Sequence, residues 1–540
     1  MKTKMFWLGV FALAILALGV FAAPAFAQTS TMDVVQTENG QVAATRDSTA
    51  DLRMYKMIPF AAPPVGDLRW KPPQPVAPWQ GIRRADYFSP RCMQPNISKT
   101  SILYAREEVA SEDCLYLNVW TPAKSNAEKL PVMVWIYGGS NIINSGSRPD
   151  FEGAALAKKG VVLVTFNYRL GVFGFFAHPE LSKEPGANNS SGNYAALDQI
   201  AALKWVQKNI AAFGGDPNNV TIFGNSAGSD HACRLTASPL AKGLFQRVIG
   251  QSTSCYYGGQ ISGASKLKLA DAEQAWTDWA KRFFTVTTVA EMRAKPAWDL
   301  LGKGSLTTSF LDGYVLSDFP DNIYANGQQN DVPILVGWNK DEGTIFAPMA
   351  TKVVSYTAAA QARFGKFADQ FLQVYPATSD AEALAQSFAT GRDLYGRGLL
   401  AWARAHDKTG KTKSYVYYWN YEPPWLPNAK FSEMDPATKL GAYHGSEISY
   451  VFQTLNVWAS MRQYTEADTK LSDLISSYWV NFAKPGDPNG PGLPTWIPFD
   501  NTATNPVLYL GSQIQLGPLP NKPGLEFMDA FWSEQLSPTQ

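Results

Sequence analysis

The sequence predicts an α/β fold, a central and mostly parallel sheet flanked by helices, and three observations carry that prediction. Short apolar runs rich in β-branched residues alternate with helical stretches through the middle of the chain. Those runs are hydrophobic on both faces, as strands covered from two sides must be. A glycine-flanked serine, Gly224-Asn225-Ser226-Ala227-Gly228, stands where one run gives way to a helix.

Taken in order, residues 1–27 read as a leader outside the fold. Lys2 and Lys4 precede an apolar run at 5–21, and Ala25-Phe26-Ala27 is a small-residue cleavage site. This is the pattern of a secretory signal, so the mature chain is expected to start near Gln28 and to be secreted or periplasmic. An uncleaved membrane anchor is the bland alternative; the cleavage-type site directly after the run argues against it. No later stretch is apolar for long enough to span a bilayer. Residues 28–540 contain no internal repeat, low-complexity tract or Pro/Gly-rich linker, and are expected to form one domain.

Residues 132–137 and 161–166 are apolar runs too short for helices, with a helical segment expected at 151–159 between them. Leu197, Ile200, Leu203, Val206 and Ile210 then recur at helical spacing until Gly214-Gly215 stops the helix. Residues 220–223 make the next strand, with further strands at 332–337, 415–419 and 507–510. A late helix at 471–483 ends in Lys484-Pro485-Gly486. The alternation loosens at 262–303 and 424–439, which read as insertions covering the functional edge of the sheet.

Of the 540 residues, 45% are hydrophobic and 17% charged, with 47 basic and 46 acidic side chains and a formal net charge of +1. A near-neutral chain without a basic block offers no electrostatic footprint for nucleic acid. The four cysteines include no CxxC and the four histidines are scattered, which supports neither a zinc site nor any other metal or cofactor. In an exported chain four cysteines favour disulfides. Cys92 with Cys114 would close a surface loop. Cys233 and Cys255 are either a second bridge or two buried thiols, and spacing does not fix the connectivity.

The chemistry-bearing feature is the turn around Ser226. A serine hydroxyl is a poor nucleophile unless a tight strand-to-helix turn presents it to a base, and the flanking glycines give that turn room. The helix N-terminus favours developing negative charge. Acyl transfer also needs donors for the tetrahedral oxyanion, and Tyr137-Gly138-Gly139-Ser140 leaves a strand end upstream, with the N–H of Ala227 beside the nucleophile. The alternative for the upstream run is an ordinary Gly-rich turn. Of the histidines, His178 precedes a proline, His406 ends a charged helical segment, and His231 lies too far along the helix of Ser226. His444, in a loop leading into a hydrophobic stretch, is the candidate base. The orienting acid is expected between serine and histidine in chain order, where Asp341 and Glu342 follow the strand at 332–337. Spacing does not choose between them.

At these residues the chain resembles the type-B carboxylesterases, a family of α/β-hydrolase fold that includes cholinesterases, para-nitrobenzyl esterases and certain fungal lipases. The matching pieces come in family order: Ile58-Pro-Phe-Ala-Ala-Pro-Pro, Leu68-Arg-Trp, Glu112-Asp-Cys-Leu-Tyr-Leu-Asn, Asn167-Tyr-Arg-Leu-Gly, Phe213-Gly-Gly-Asp-Pro, the Ser226 turn, Asn339-Lys-Asp-Glu-Gly and His444-Gly-Ser-Glu-Ile. The resemblance implies helical insertions over the active site, a triad of Ser226, Glu342 and His444, and oxyanion donors on Gly139, Ser140 and Ala227. It also pairs Cys92 with Cys114.

Three positions depart from the family pattern. Asn225 stands where Glu is usual, Ser140 replaces the third glycine of the oxyanion run, and Gln453 replaces a glycine after Val-Phe. The Cys92–Cys114 loop holds Tyr104 and no tryptophan, which disfavours a choline ester, since quaternary ammonium recognition relies on such aromatic faces. The expected activity is hydrolysis of uncharged, bulky or aromatic carboxylic esters, with a small-molecule ester and water as partners. Trp276, Trp279, Phe283, Phe284, Trp419, Tyr421 and Trp425 either shape an aromatic pocket or simply pack the insertions. A lipase is the runner-up, and a non-catalytic adhesion protein the reading from another class. The sequence does not address oligomeric state.

Overall fold

In the computed structural model, ten strands form one sheet: β1 (Arg53–Pro59), β2 (Tyr116–Thr121), β3 (Leu130–Ile136), β4 (Val162–Phe166), β5 (Gly215–Asn225), β6 (Arg247–Gln251), β7 (Ile334–Asn339), β8 (Ser414–Trp419), β9 (Val507–Leu510) and β10 (Ile514–Gly517). The structure describes residues 33–536 apart from 105, 107, 257–265, 305, 434–439 and 501–505. The expected leader at 1–27 lies outside the described residues, as do parts of the loosened segments.

The sheet order is β10-β9-β8-β7-β6-β5-β3-β4-β2-β1. From β4 through β9 every neighbour pair is parallel, and both edges turn antiparallel. Parallel strands need covering on both faces, and the central ones are buried end to end: Val132, Met133, Val134, Trp135 and Ile136 on β3 are inaccessible to solvent. Helices Tyr194–Asn209, Ala227–Ala237, Asp380–Thr409 and Glu466–Ala483 flank the sheet.

The expected strands are all present, and the expected late helix starts five residues earlier, at Glu466. A capping box explains the shift, with the Thr465 side chain meeting the Asp468 amide and Asp468 answering at the Thr465 amide. The helix expected at 151–159 is shorter. Pro149–Phe151 makes a single 3-10 turn, and only Ala154–Ala157 is α-helical.

Two of the sequence signatures meet in space. Arg69 of Leu-Arg-Trp forks onto the Glu112 carboxylate at 2.7 and 2.8 Å, and Trp70 donates to Val172 O at 2.9 Å. Arg169 binds Asp198 on the helix Tyr194–Asn209 through two nitrogens, at 2.7 and 2.8 Å, with both side chains buried. Bidentate geometry is what lets such a buried pair repay its desolvation. Cys92 is bridged to Cys114, and Cys233 to Cys255. No helix among the described residues is long and apolar enough to cross a membrane.

Candidate active site

Ser226 occupies the turn between β5 and the helix Ala227–Ala237, with φ 56° and ψ −128°. That is a strained backbone for a residue carrying a Cβ. Its amide is anchored to Gln251 O on β6 at 2.8 Å. Close approach accounts for the two glycines of the turn. A Cβ on Gly228 would sit 1.9 Å from Ile136 O, and one on Gly224 would sit 2.6 Å from the same oxygen.

β3 ends beside this turn and runs into Gly138-Gly139-Ser140. Gly139, Ser140 and Asn141 all adopt positive φ, at 116°, 55° and 60°. Gly139 O accepts from Ile142 and Ile143 at 2.9 and 3.1 Å, which fixes the loop. No acceptor among the described residues takes the N–H groups of Gly139, Ser140 or Ala227. His231, on the helix of Ser226, bonds Asn141 Oδ1 through Nε2 at 2.8 Å. Burial lowers its pKa to about 4, so its imidazole is neutral and serves as a buttress of this loop.

His444 Nδ1 is hydrogen-bonded to Glu342 Oε2. Glu342 is fully buried, and its Oε1 accepts the Asn339 amide at 2.8 Å. The rings of Phe346 and Tyr395 flank the imidazole at 5.1 and 5.0 Å. The neighbouring carboxylate is employed differently. Asp341 accepts the Ala442 amide at 2.8 Å, and a Cβ on Gly441 would come within 2.3 Å of its Oδ2. Glu342 meets the imidazole, while Asp341 pins the loop that carries it. Burial raises the Asp341 carboxyl above its ordinary value. The remaining histidines are elsewhere: His178 accepts the Glu180 amide as a helix cap, and buried His406 bonds Thr412.

Sequence reasoning missed a second buried carboxylate, Glu447. It accepts from Gln251 at 2.8 Å, from Asn339 at 2.6 Å and from Asn225 at 3.3 Å. Burial raises its pKa, Asn339 opposes that rise, and the charge of Glu342 adds to it. Its only sequence signal was the Glu of His444-Gly-Ser-Glu-Ile.

Ser226, His444 and the Gly138–Ser140 run line one cavity of about 250 Å³. Its other walls are mainly apolar, with Leu103, Ile142, Ile143, Phe346 and Trp458. A wider groove of about 610 Å³ lies beyond Arg148 and Phe151 and contains none of the candidate triad. The covering aromatics singled out above do not line the cavity. Trp276 and Trp279 pack with Phe176, Trp419 and Tyr421 with Tyr450, and Trp425 stands behind Tyr443. Among the described residues no cluster of three or more His, Cys, Asp or Glu side chains is placed to hold a metal ion.

The model of the Carboxylesterase family matches residues 31–528. The chain belongs to that family. It is 39% identical to the Fumonisin B1 esterase of Sphingopyxis macrogoltabida, over 93% of this chain and 90% of that protein. It is 33% identical to the para-nitrobenzyl esterase of Bacillus subtilis (strain 168), over 90% and 96% of the two chains. A solved PNB esterase superposes with a TM-score of 0.77 at 30% identity, covering 92% of this chain and 99% of that one. This carboxylesterase therefore has the α/β-hydrolase fold and is a carboxylic ester hydrolase.

Proposed function

We propose that this carboxylesterase works through an acyl-enzyme on Ser226. The observation that carries the reading is the Glu342–His444 hydrogen bond at a cavity that Ser226 also lines. Glu342 holds the Nδ1–H tautomer, leaving Nε2 as the base. His444 takes the hydroxyl proton as Ser226 Oγ attacks the ester carbonyl. The oxyanion accepts the N–H groups of Gly139, Ser140 and Ala227. His444 then passes its proton to the departing alcohol, and water repeats the sequence to release the acid.

The apolar walls support an ester with a bulky, uncharged group beside the scissile bond. The chain is proposed to act outside the cytoplasm, as one domain spanning residues 28–540 after removal of 1–27, and its two disulfides support that setting. The test is covalent labelling by a fluorophosphonate. Wild-type protein is labelled and Ser226→Ala is not; equal labelling of both, or of neither, overturns the mechanism.

A further inference from the structure

One charged group beside the cavity makes no ion pair among the described residues. Arg462 is 3% exposed, and its Nε and Nη1 have no hydrogen-bond partner among the described residues. Its guanidinium lies among four rings, with Trp425 at 4.1 Å, Trp458 at 5.2 Å, Tyr443 at 5.4 Å and Tyr464 at 5.9 Å. Cation–π contacts offset part of the cost of burying it. They leave three N–H donors unanswered, and buried unsatisfied donors call for an explanation.

The carboxylate whose charge reaches Arg462 is Asp150, which keeps its Oδ1 without a hydrogen-bond partner among the described residues and gives its other oxygen to a different cation. Its Oδ2 is bonded by Arg148 at 2.9 and 3.1 Å. Two guanidiniums and one carboxylate leave this wall of the cavity with a cation in excess. The link to the cavity is Tyr443, which lines it next to His444. Arg462 Nη2 donates to the Tyr443 hydroxyl oxygen, and the phenol's own proton has no acceptor among the described residues. A hydroxyl that accepts from a cation is a stronger donor toward a third group.

We propose that this wall recognises a carboxylate carried by the substrate away from its scissile bond, so that the preferred substrates are carboxylic esters bearing a second, ionised carboxyl group. Tyr443 donates its proton to that carboxylate, and Arg462 supplies the charge behind it. The ester group itself still meets Ser226 and the oxyanion loop, so the inference rests on the acyl-enzyme reading and adds a charge requirement at one wall. It amends the expectation of wholly uncharged esters.

The test compares monoethyl adipate with ethyl hexanoate, which differ in a terminal carboxylate against a methyl group. The readout is the ratio of their kcat/KM values within each protein, in which a general loss of activity cancels. Wild type is expected to prefer the half-ester by about tenfold or more, the scale of one charge-assisted hydrogen bond. Arg462→Met lowers that ratio by about tenfold, and Tyr443→Phe by about fivefold, because the pair acts as a unit. Tyr443→Phe keeps the ring packed and serves where Arg462→Met fails to fold. A wild-type ratio at or below one, or a ratio unmoved by both substitutions, overturns the proposal while ethyl hexanoate hydrolysis leaves the esterase reading standing. Hydrolysis of neither ester overturns both.

Discussion

Asn225 gives its side-chain amide to the buried carboxylate of Glu447, 3.3 Å away. The residue just before Ser226 is thereby tied to the loop of His444, and through Asn339 to Glu342, which accepts the Asn339 amide. Asn225→Glu places a second carboxylate against Glu447, where two buried like charges cannot both ionise freely. The pair then holds a proton over part of the working range and adds negative charge near the imidazole as it loses it. Negative charge favours imidazolium, so the acid limb of kcat/KM against pH is expected to move up by about one unit. Asn225→Gln keeps the amide and serves as the control. A pH–rate profile identical to wild type in Asn225→Glu would remove the coupling.

The adjacent acids should separate cleanly. Glu342→Gln keeps the volume but replaces the group that fixes the imidazole tautomer, and kcat is expected to fall by about 10³–10⁴ with little change in KM. Asp341→Asn retains an oxygen for the Ala442 amide and should cost less than about tenfold, since it acts on the loop and not on the ring. The signature of Asp341 lies in stability. Burial raises its carboxyl, so the folded state holds that proton more tightly than the unfolded chain does. Its contribution is present below the ordinary carboxylate range and lost as pH rises through the raised value. Tm of Asp341→Asn relative to wild type is therefore expected to improve as pH rises from the ordinary carboxylate range. A difference independent of pH would show that the Asp341 carboxyl is not raised by its half-buried setting.

Much of this site was legible because its parts are local. Strand, tight turn and helix around Ser226 follow from residues adjacent in sequence, and the glycines are explained by the approach of Ile136 O to within 1.9 Å of a Gly228 Cβ. The choice between Asp341 and Glu342 was not legible from spacing, because it depends on which carboxylate the backbone turn aims at a loop about a hundred residues later. The same holds for Glu447 and Asn225, separated by 222 residues in the chain. Two departures from the family pattern acquire a physical meaning only in the backbone. Ser140 and Gln453 both sit at positive φ, 55° and 57°, where glycine carries no strain. Gln453 is held there by bonds to Asp473 at 3.2 Å and Ser476 at 3.0 Å. Arg462 gave no signal at all, since nothing in its neighbourhood of sequence shows four rings converging on it.

The close contact at Gly228 yields a sharp expectation. An added methyl group collides with a backbone carbonyl of β3, which cannot rotate away as a side chain can. Gly228→Ala must push the helix that follows Ser226 off the sheet or open β3 from β5, and is expected to destabilise the protein by about 3 kcal/mol or more. The corresponding control is Gly160→Ala, at a turn where nothing lies within 4 Å of the new Cβ and only the backbone angle of 91° is unfavourable. Denaturant melts of the two variants decide the matter. Equal stabilities would mean that the helix and β3 are not packed as closely as described.

His231 supplies a test of the buttress under the loop proposed to hold the oxyanion. Burial lowers its pKa from 6.5 to about 4, so the unfolded chain takes up a proton in this range before the folded one does. For a base with a lowered folded value, stability rises with pH across that window and is lost as pH falls from 6.5 toward 4. The full shift corresponds to about 3 kcal/mol. His406 is lowered by burial as well, so the acid loss belongs to both rings. His231→Gln keeps a donor for Asn141 Oδ1 but does not titrate. Its Tm is expected to depend less steeply on pH between 4 and 6.5 than that of wild type, while kcat near neutrality falls by less than about tenfold because the loop retains its hydrogen bond. His231→Ala loses the bond too, and its kcat should fall further with KM nearly constant. An unchanged pH slope of Tm in His231→Gln would mean that this imidazole is not buried and neutral beneath the loop.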